Sequence, residues 1–598
     1  MSKKRKKSAR KKTPAAAFSA SSETQNHTPR QSFTFFPDPL RWAAFVLLVL
    51  VGIGFYWTSF RNGFIWDDTM VITPNEYIRD WHHLKEIFTT DIHHFGLDNS
   101  DFYRPLQAVS YALDYTFWKL NPMGYHISSV LYHILNAFLI YMLLLPVLNY
   151  LDSKLRERSR WIALGTSLIW LVHPIHSQVV TYAAGRADEL AAFFILLTLI
   201  TFMRGQKIGS WLCFVGALLS KEFGVITPVF VLLFDYFGLT VNKDGRWKKL
   251  TPFLIIFAVY AVLRLTVLKF PQDVSEAFIP GIYGRLLTSA EAIMILFGLL
   301  AVPVGLSMDR NIAWANTFFK WQVVASVLLV LVLAVLAWKW RKKEPVISFG
   351  LLFFFTGYAL VMDIIKMNAN VSEHWMYIPS IGIWLVFCYL LAGKLPWMRK
   401  RLFFPLIAAM VVYFGAFLVG RNADFKDEIT FYKQILKRHY DDARVHYNLG
   451  CAYFFAGDMD KSYFHLSEAI RFNPDYAAAY GNLGQLEYRR GHLKKAIALY
   501  EKANALKPDL VENRANLGTA YSDAGRFADA MEQLNIALKL NPKHTGALNN
   551  MGIVYGRQGK FDLAEKYFRR VLAMDPGNTA AQNNLKRINE LRHKYPPK

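Results

Sequence analysis

Apolar and polar positions follow two different rules along this chain. Between residues 42 and about 420, long apolar runs alternate with short polar connections. From about 443 onward the apolar positions thin to one face of successive helical turns. The long runs fall near 42–60, 127–148, 161–181, 189–203, 208–220, 224–239, 251–268, 321–338, 346–362, 377–393 and 402–420. A run of that kind satisfies its backbone in a bilayer only as a helix, so the pattern predicts a polytopic membrane domain of about eleven crossings. The run 208–220 is the shortest of the set. The expected fold class is all-α throughout.

Charge orients the runs. The connections at 154–156, 204–207, 243–249, 339–343 and 394–401 are basic and predict one common cytoplasmic side. The first loop, 61–126, then lies outside. The run 286–306, with Pro303 and Gly305, would break this alternation as a full span. It is therefore expected to enter and leave on the outer side as a re-entrant or interfacial segment. The crossing number is then odd, with the N-terminus inside and the C-terminal half outside. The 598 residues carry a net charge of +24 and 53% hydrophobic residues, an average over two unlike halves. Lys3, Lys4, Arg5, Lys6, Lys7, Arg10, Lys11 and Lys12 resemble a nucleic-acid patch in isolation; ahead of a span they read as a topology signal. No nucleic-acid partner is expected. Residues 13–38, rich in Ser, Thr, Pro and Ala, read as a disordered tail, and Trp42 to Phe60 is too long for a removable leader. Cys213, Cys388 and Cys451 have neither disulfide nor metal spacing.

The C-terminal half repeats every 34 residues: Asn448-Leu449-Gly450, Asn482-Leu483-Gly484, Asn516-Leu517-Gly518 and Asn550-Met551-Gly552. Gly457, Gly491, Gly525 and Gly559 recur with it, as do Ala496, Ala530 and Ala564, and Pro474, Pro508, Pro542 and Pro576. That is the tetratricopeptide pattern. It predicts four helix pairs over 443–578, a closing helix within 579–598, a connector at 421–442, the membrane domain at 42–420 and a basic tail at 1–41. Asn448, Asn482, Asn516 and Asn550 should form a column on the concave face. An amide both donates and accepts, so the column suits an extended acceptor peptide, although it equally suits bonding inside the array.

Candidate chemistry collects near the outer ends of the runs. Asp67 and Asp68 follow the first span, where a carboxylate meets a lipid-borne substrate from one side and a water-borne one from the other. The alternative is that either acid caps the next segment. Arg104 precedes a proline and is also a natural loop anchor. His173 and His176 sit around Pro174 without an evident third metal ligand, so no metal site is assigned. Arg186 lies in Gly185-Arg186-Ala187-Asp188, and Lys221 stands beside Glu222, which reads equally as a self-neutralised pair. Glu373, His374 and Tyr377 complete the polar set.

The assembled order resembles a known family. Phe64-Ile65-Trp66-Asp67-Asp68, Tyr103-Arg104-Pro105-Leu106, His173-Pro174-Ile175-His176-Ser177-Gln178, Gly185-Arg186-Ala187-Asp188-Glu189-Leu190, Ser220-Lys221-Glu222 and Tyr377-Ile378-Pro379-Ser380-Ile381-Gly382 are similar to successive motifs of the transmembrane and tetratricopeptide repeat-containing O-mannosyltransferases. Those belong to the C-type superfamily of lipid-linked-sugar glycosyltransferases, and the likeness covers about 42–594. Glu373-His374-Trp375 departs from the family's usual Glu-Arg pair. The resemblance implies inverting sugar transfer, of mannose or a similar hexose, from a polyprenyl-phosphate donor to Ser or Thr hydroxyls of extracytoplasmic protein. It implies Asp67 as base with Asp68 beside it, and Arg104, His173, His176, Arg186 and Lys221 toward the donor phosphate. Glu222, Glu373, His374 and Tyr377 would line the pocket, and the four asparagines would hold the acceptor. No cofactor is expected, and a divalent-metal requirement stays open. A membrane-anchored repeat scaffold without catalysis is the alternative. A transporter fits less well, because the acids gather in outer loops rather than at the bilayer midplane.

Overall fold

The computed structural model describes residues 39–92, 102–155, 157–266, 268, 281–308, 310, 312, 314–359, 371–395 and 400–594. The basic block, the tail before 39, Asp101 and the end of the 346–362 run lie outside them. Each apolar run holds a helix, and no strand occurs among the described residues. Pro39–Tyr56, Pro122–Leu151, Arg246–Thr266, Trp321–Lys339 and Lys400–Ala423 are long, and Arg246–Thr266 and Trp321–Lys339 leave most of their apolar surface uncovered, as lipid-facing helices do. Pro122–Leu151 is the opposite: it lies at the centre, packed by Pro39–Tyr56, Ser159–Val172 and Arg186–Met203.

Several core helices are shorter than their apolar runs suggest. Ser159–Val172, Lys207–Ser220 and Pro345–Tyr358 each have 14 residues, and Thr227–Tyr236 has 10. At about 1.5 Å per residue, 14 residues cover about 21 Å of a hydrocarbon core near 30 Å thick. The missing length is supplied by tight 3₁₀ turns, Pro174–His176 after the first of these and Glu222–Ile226 after the second; a third, Glu373–Met376, precedes Ser380–Tyr389. The expected 161–181 run is thus broken at His173, where Pro174 cannot continue the hydrogen-bond ladder. These turns carry the polar motifs. Non-helical backbone at that depth requires burial in protein, and His173, Pro174, Ile175 and His176 are all fully buried.

The basic connections gather at one end. Arg158 Nη1 donates to Ala392 O at 2.8 Å, Lys394 pairs with Glu344 at 2.7 Å, and Lys207 pairs with Asp244 at 2.7 Å. Tyr150, near the end of Pro122–Leu151, lies against Gly238. The polar motifs occupy the opposite end. Ile282–Ala301, the run expected to disobey the alternation, is one unbroken helix rather than a re-entrant hairpin. Lys320 reaches Glu291 at 2.7 Å and Leu287 packs on Val323, beside the start of Trp321–Lys339. At its other end Leu300 O accepts from the His173 ring at 3.0 Å. The first half of the helix and its C-terminal end therefore both meet residues of the polar end.

The soluble half forms helix pairs from Ala443–Phe455 through Phe561–Met574, closed by Thr579–Lys594. Gly457, Gly491, Gly525 and Gly559 turn each pair at φ between 74° and 83°, the left-handed region open to glycine. Glu428–Leu436 joins the array to the last membrane helix. Its Phe431, Tyr432, Ile435 and Leu436 share one core with Ile65, Tyr182, Val445, Leu449 and Tyr453. The array is thus docked on the polar end of the bundle.

Candidate active site

The two adjacent acids have opposite surroundings. Asp68 is fully buried, and its Oδ1 accepts from Ala184 N at 2.7 Å while Oδ2 accepts from Ile65 N at 3.3 Å. Burial outweighs these two donors and, with the Asp67 charge adding, pushes its carboxyl up to about 8. Asp67 is only half-buried. Its backbone N–H donates to the Tyr182 hydroxyl at 3.0 Å, and it makes no side-chain cap on the short helix Asp68–Val71. Asp68 therefore fastens the turn, and Asp67 is the more exposed of the two carboxylates, beside the Tyr182 hydroxyl.

A helix absent from the sequence expectation carries the acid turn toward the cations. Pro105–Trp118 begins just after Arg104, within the loop that the apolar pattern left unstructured. From it Gln107 donates to Ala184 O at 2.8 Å and the Tyr111 hydroxyl donates to Ala183 O at 3.0 Å, both on the turn that also holds Asp68. At its N-terminus, Arg104 bonds Glu222 through Nε at 3.2 Å and Nη2 at 3.0 Å. Lys221 does not pair with Glu222; it meets both Asp188 oxygens at 2.7 Å. The reading of Lys221-Glu222 as a self-neutralised pair is thereby corrected, because each side chain of this turn points to a different neighbouring helix. The cations keep a face to solvent, with side-chain exposures of 15% for Arg104 and 16% for Lys221. Glu222 is 41% exposed, so its grip on Arg104 is the looser of the two. His374 borders this cluster. Burial, then the Lys221 charge, lowers its imidazole to about 3, and it is neutral at physiological pH.

The remaining predicted residues are placed elsewhere. Arg186 is fully buried over the Tyr111 ring; it bonds Ser129, Ser110, Asp114 and Tyr125 O, with no face open to a ligand. His173 and His176 lie among Trp170, Tyr377, Trp384 and Phe414, and both His173 ring nitrogens are engaged by backbone. The Tyr377 hydroxyl meets the His133 ring at 2.8 Å and Asn136 at 3.2 Å inside the bundle. Glu373 Oε1 accepts from Ser307 N at 2.7 Å and Arg310 at 3.0 Å, and burial raises its carboxyl against the nearby Arg421 and Arg310 charges. Among the described residues no cluster of three or more His, Cys, Asp or Glu is arranged to hold a metal. Sequence reasoning missed Tyr182, Gln107, Asp188 as the Lys221 partner, and Asp114 as the Arg186 partner. Asp188 stood inside a quoted motif; the others had no local signal, since each acts across more than 30 residues of chain.

The four asparagines do lie on the first helices of their pairs, all half-buried. Asn482 donates to Tyr447 Oη and Cys451 Sγ at 3.1 Å, and Asn550 donates to Thr519 Oγ1 at 2.7 Å. Two of the amides are thus partly spent on the preceding repeat. Asn448 and Asn516 make no such bond among the described residues.

The tetratricopeptide repeat family matches residues 443–476, 465–510 and 516–579. A protein O-mannosyl-transferase of Caenorhabditis elegans is 24% identical over 449 residues, which is 72% of this chain and 63% of that protein. Protein O-mannosyl-transferase TMTC3 of Homo sapiens is 24% identical over 504 residues, 72% of this chain and 51% of that protein. The C-terminal half is a tetratricopeptide-repeat array, and the chain is similar over about 70% of its length to transmembrane protein O-mannosyl-transferases. It spans between half and two thirds of the length of these two relatives. Among solved structures, the crystal structure of MamA aligns with a TM-score of 0.23 at 24% identity, covering 28% of this chain and 90% of that one. Both the acid turn and the cation cluster lie in the half that precedes the repeats, and the first repeat meets the acid turn through Glu428–Leu436.

Proposed function

We propose that this protein is a membrane glycosyltransferase. It moves mannose or a similar hexose from a polyprenyl-phosphate carrier to Ser or Thr hydroxyls of extracytoplasmic protein, with inversion at the anomeric carbon. The observation that carries the reading is the pairing of a buried, fastened Asp68 with a half-exposed Asp67 at the junction of bundle and repeats. A serine or threonine hydroxyl is a weak nucleophile until a base takes its proton, and Asp67 is that base. As the hydroxyl oxygen bonds to the anomeric carbon, the bond from that carbon to the phosphate oxygen breaks. The departing lipid phosphate gathers negative charge, which Arg104 and Lys221 stabilise from preset positions. Glu222 and Asp188 hold those cations ready while no donor is bound. Arg186, His173, His176 and Tyr377 act one layer back, as the framework under the donor site. The repeats raise the local concentration of the acceptor chain.

The test is transfer from a radiolabelled polyprenyl-phosphate hexose by purified protein. Asp67→Asn should lower turnover by about 10²- to 10⁴-fold with expression and membrane insertion intact. Full turnover in Asp67→Asn would remove this base, and absence of transfer by the unaltered protein would favour a scaffold.

A further inference from the structure

Trp66, immediately before Asp67, has a φ of 47°, a left-handed conformation that a large side chain rarely adopts. Such a backbone persists only where its surroundings impose it, and here they come from the other half of the molecule. The indole meets Phe431 edge-on at 5.4 Å between centroids and Tyr432 at 6.2 Å. The Arg444 guanidinium, on the first repeat helix, lies 5.2 Å above the ring. The backbone N–H of Trp66 lies near enough to the Glu428 carboxylate to favour its charged form. The same turn is tied further by Gly63 N to Lys426 O at 2.9 Å and by Asn62 to Asn422 O at 3.0 Å.

We propose that Trp66 is a positioning residue for Asp67, clamped by the connector and the first repeat, so that the repeat array forms part of the catalytic geometry as well as holding the acceptor. The inference rests on Asp67 being the base. An indole locked on three sides leaves one direction for the next peptide unit, and that unit carries the Asp67 side chain. Release of the clamp lets the backbone relax to negative φ and swings the carboxylate away from the acceptor hydroxyl, where a displacement of about 1 Å costs up to about 10²-fold in rate.

The discriminating substrate is a hydroxyl peptide of a few residues, too short to lie along the array. With the full-length protein, saturating polyprenyl-phosphate hexose and this peptide, Trp66→Ala should lower kcat by about 10- to 100-fold with KM changed little, and Trp66→Phe should restore most of it. Arg444→Met, at an exposed position, removes one wall of the clamp without emptying a core, and should lower kcat by a smaller factor in the same direction. Hydrogen exchange of residues 62–70 should quicken in both Trp66→Ala and Arg444→Met. Unchanged kcat in these two variants, or a loss confined to KM, would overturn the proposal and leave the base reading standing. If the unaltered protein transfers no sugar, the base reading falls; unchanged exchange in the 62–70 turn would then show that Trp66 does not hold it.

Discussion

Neighbouring carboxyls at one site are useful when their environments separate them, and Asp67 and Asp68 differ in that way. Asp68 keeps its proton because it is sealed beneath the 183–185 turn, and a neutral Asp68 spares Asp67 the repulsion of a second charge. The linkage has a definite sign. Folded Asp68 holds a proton up to about 8, whereas the unfolded side chain releases it near 3.8. Its contribution to stability is therefore fully present below about 3.8, falls as the pH rises toward 8, and changes no further above that. The melting temperature of the unaltered protein minus that of Asp68→Asn should accordingly decline between pH 5 and about 8. A difference that is flat across this range would mean that Asp68 is ionised in the folded state.

Elements of this protein are cut to fit the site. The 14-residue helices stop short so that Pro174–His176 and Glu222–Ile226 can turn within the protein, and the second of these turns aims Lys221 and Glu222 at separate partners, Asp188 and Arg104. In the repeats, the asparagine column divides by what its amides already hold. Asn482→Ala or Asn550→Ala should destabilise the array by about 0.5 to 1.5 kcal/mol, since each breaks a bond to the preceding repeat. The double variant Asn448→Ala with Asn516→Ala should leave melting unchanged and weaken transfer to long protein acceptors more than to short peptides. Thermal denaturation beside the two transfer assays separates the outcomes; equal transfer to both acceptors would make the column structural only.

At the scale of the whole molecule, the basic connections and the polar motifs occupy opposite ends, and the repeats dock on the polar one. Basic loops favour the cytoplasm, so the polar end and the array should face the exterior or lumen. Single cysteines placed in the array at exposed Lys494 or Lys543, and one at exposed Tyr283, should all react with an impermeant thiol reagent applied from that side, whereas one at exposed Lys248 should be protected until the membrane is opened. Labelling of the array only after permeabilisation would reverse the orientation. Protection of Tyr283 alone would make Ile282–Ala301 a full crossing.

The apolar runs and the 34-residue period located most of the helices, though neither Pro105–Trp118 nor the break at His173, because bilayer length and repeat packing are each written in local residue spacing. Asp67, Asp68, Arg104 and Lys221 stood out as candidates for a similar reason: charged groups beside long apolar runs contrast with their surroundings. Their roles were not legible. Which acid is buried depends on Ala184, more than 100 residues along the chain, and which carboxylate holds Lys221 depends on Arg186–Met203. Pro105–Trp118 escaped notice because its apolar face is modest and its stability comes from packing on the 183–185 turn and on Pro122–Leu151. The docking of the repeats on Trp66 was likewise decided only in three dimensions, since an aromatic contact between residues 66 and 431 leaves no periodicity in the sequence. Local spacing fixes what each segment is; burial and charge pairing, which depend on distant segments, fix what each residue at the site does.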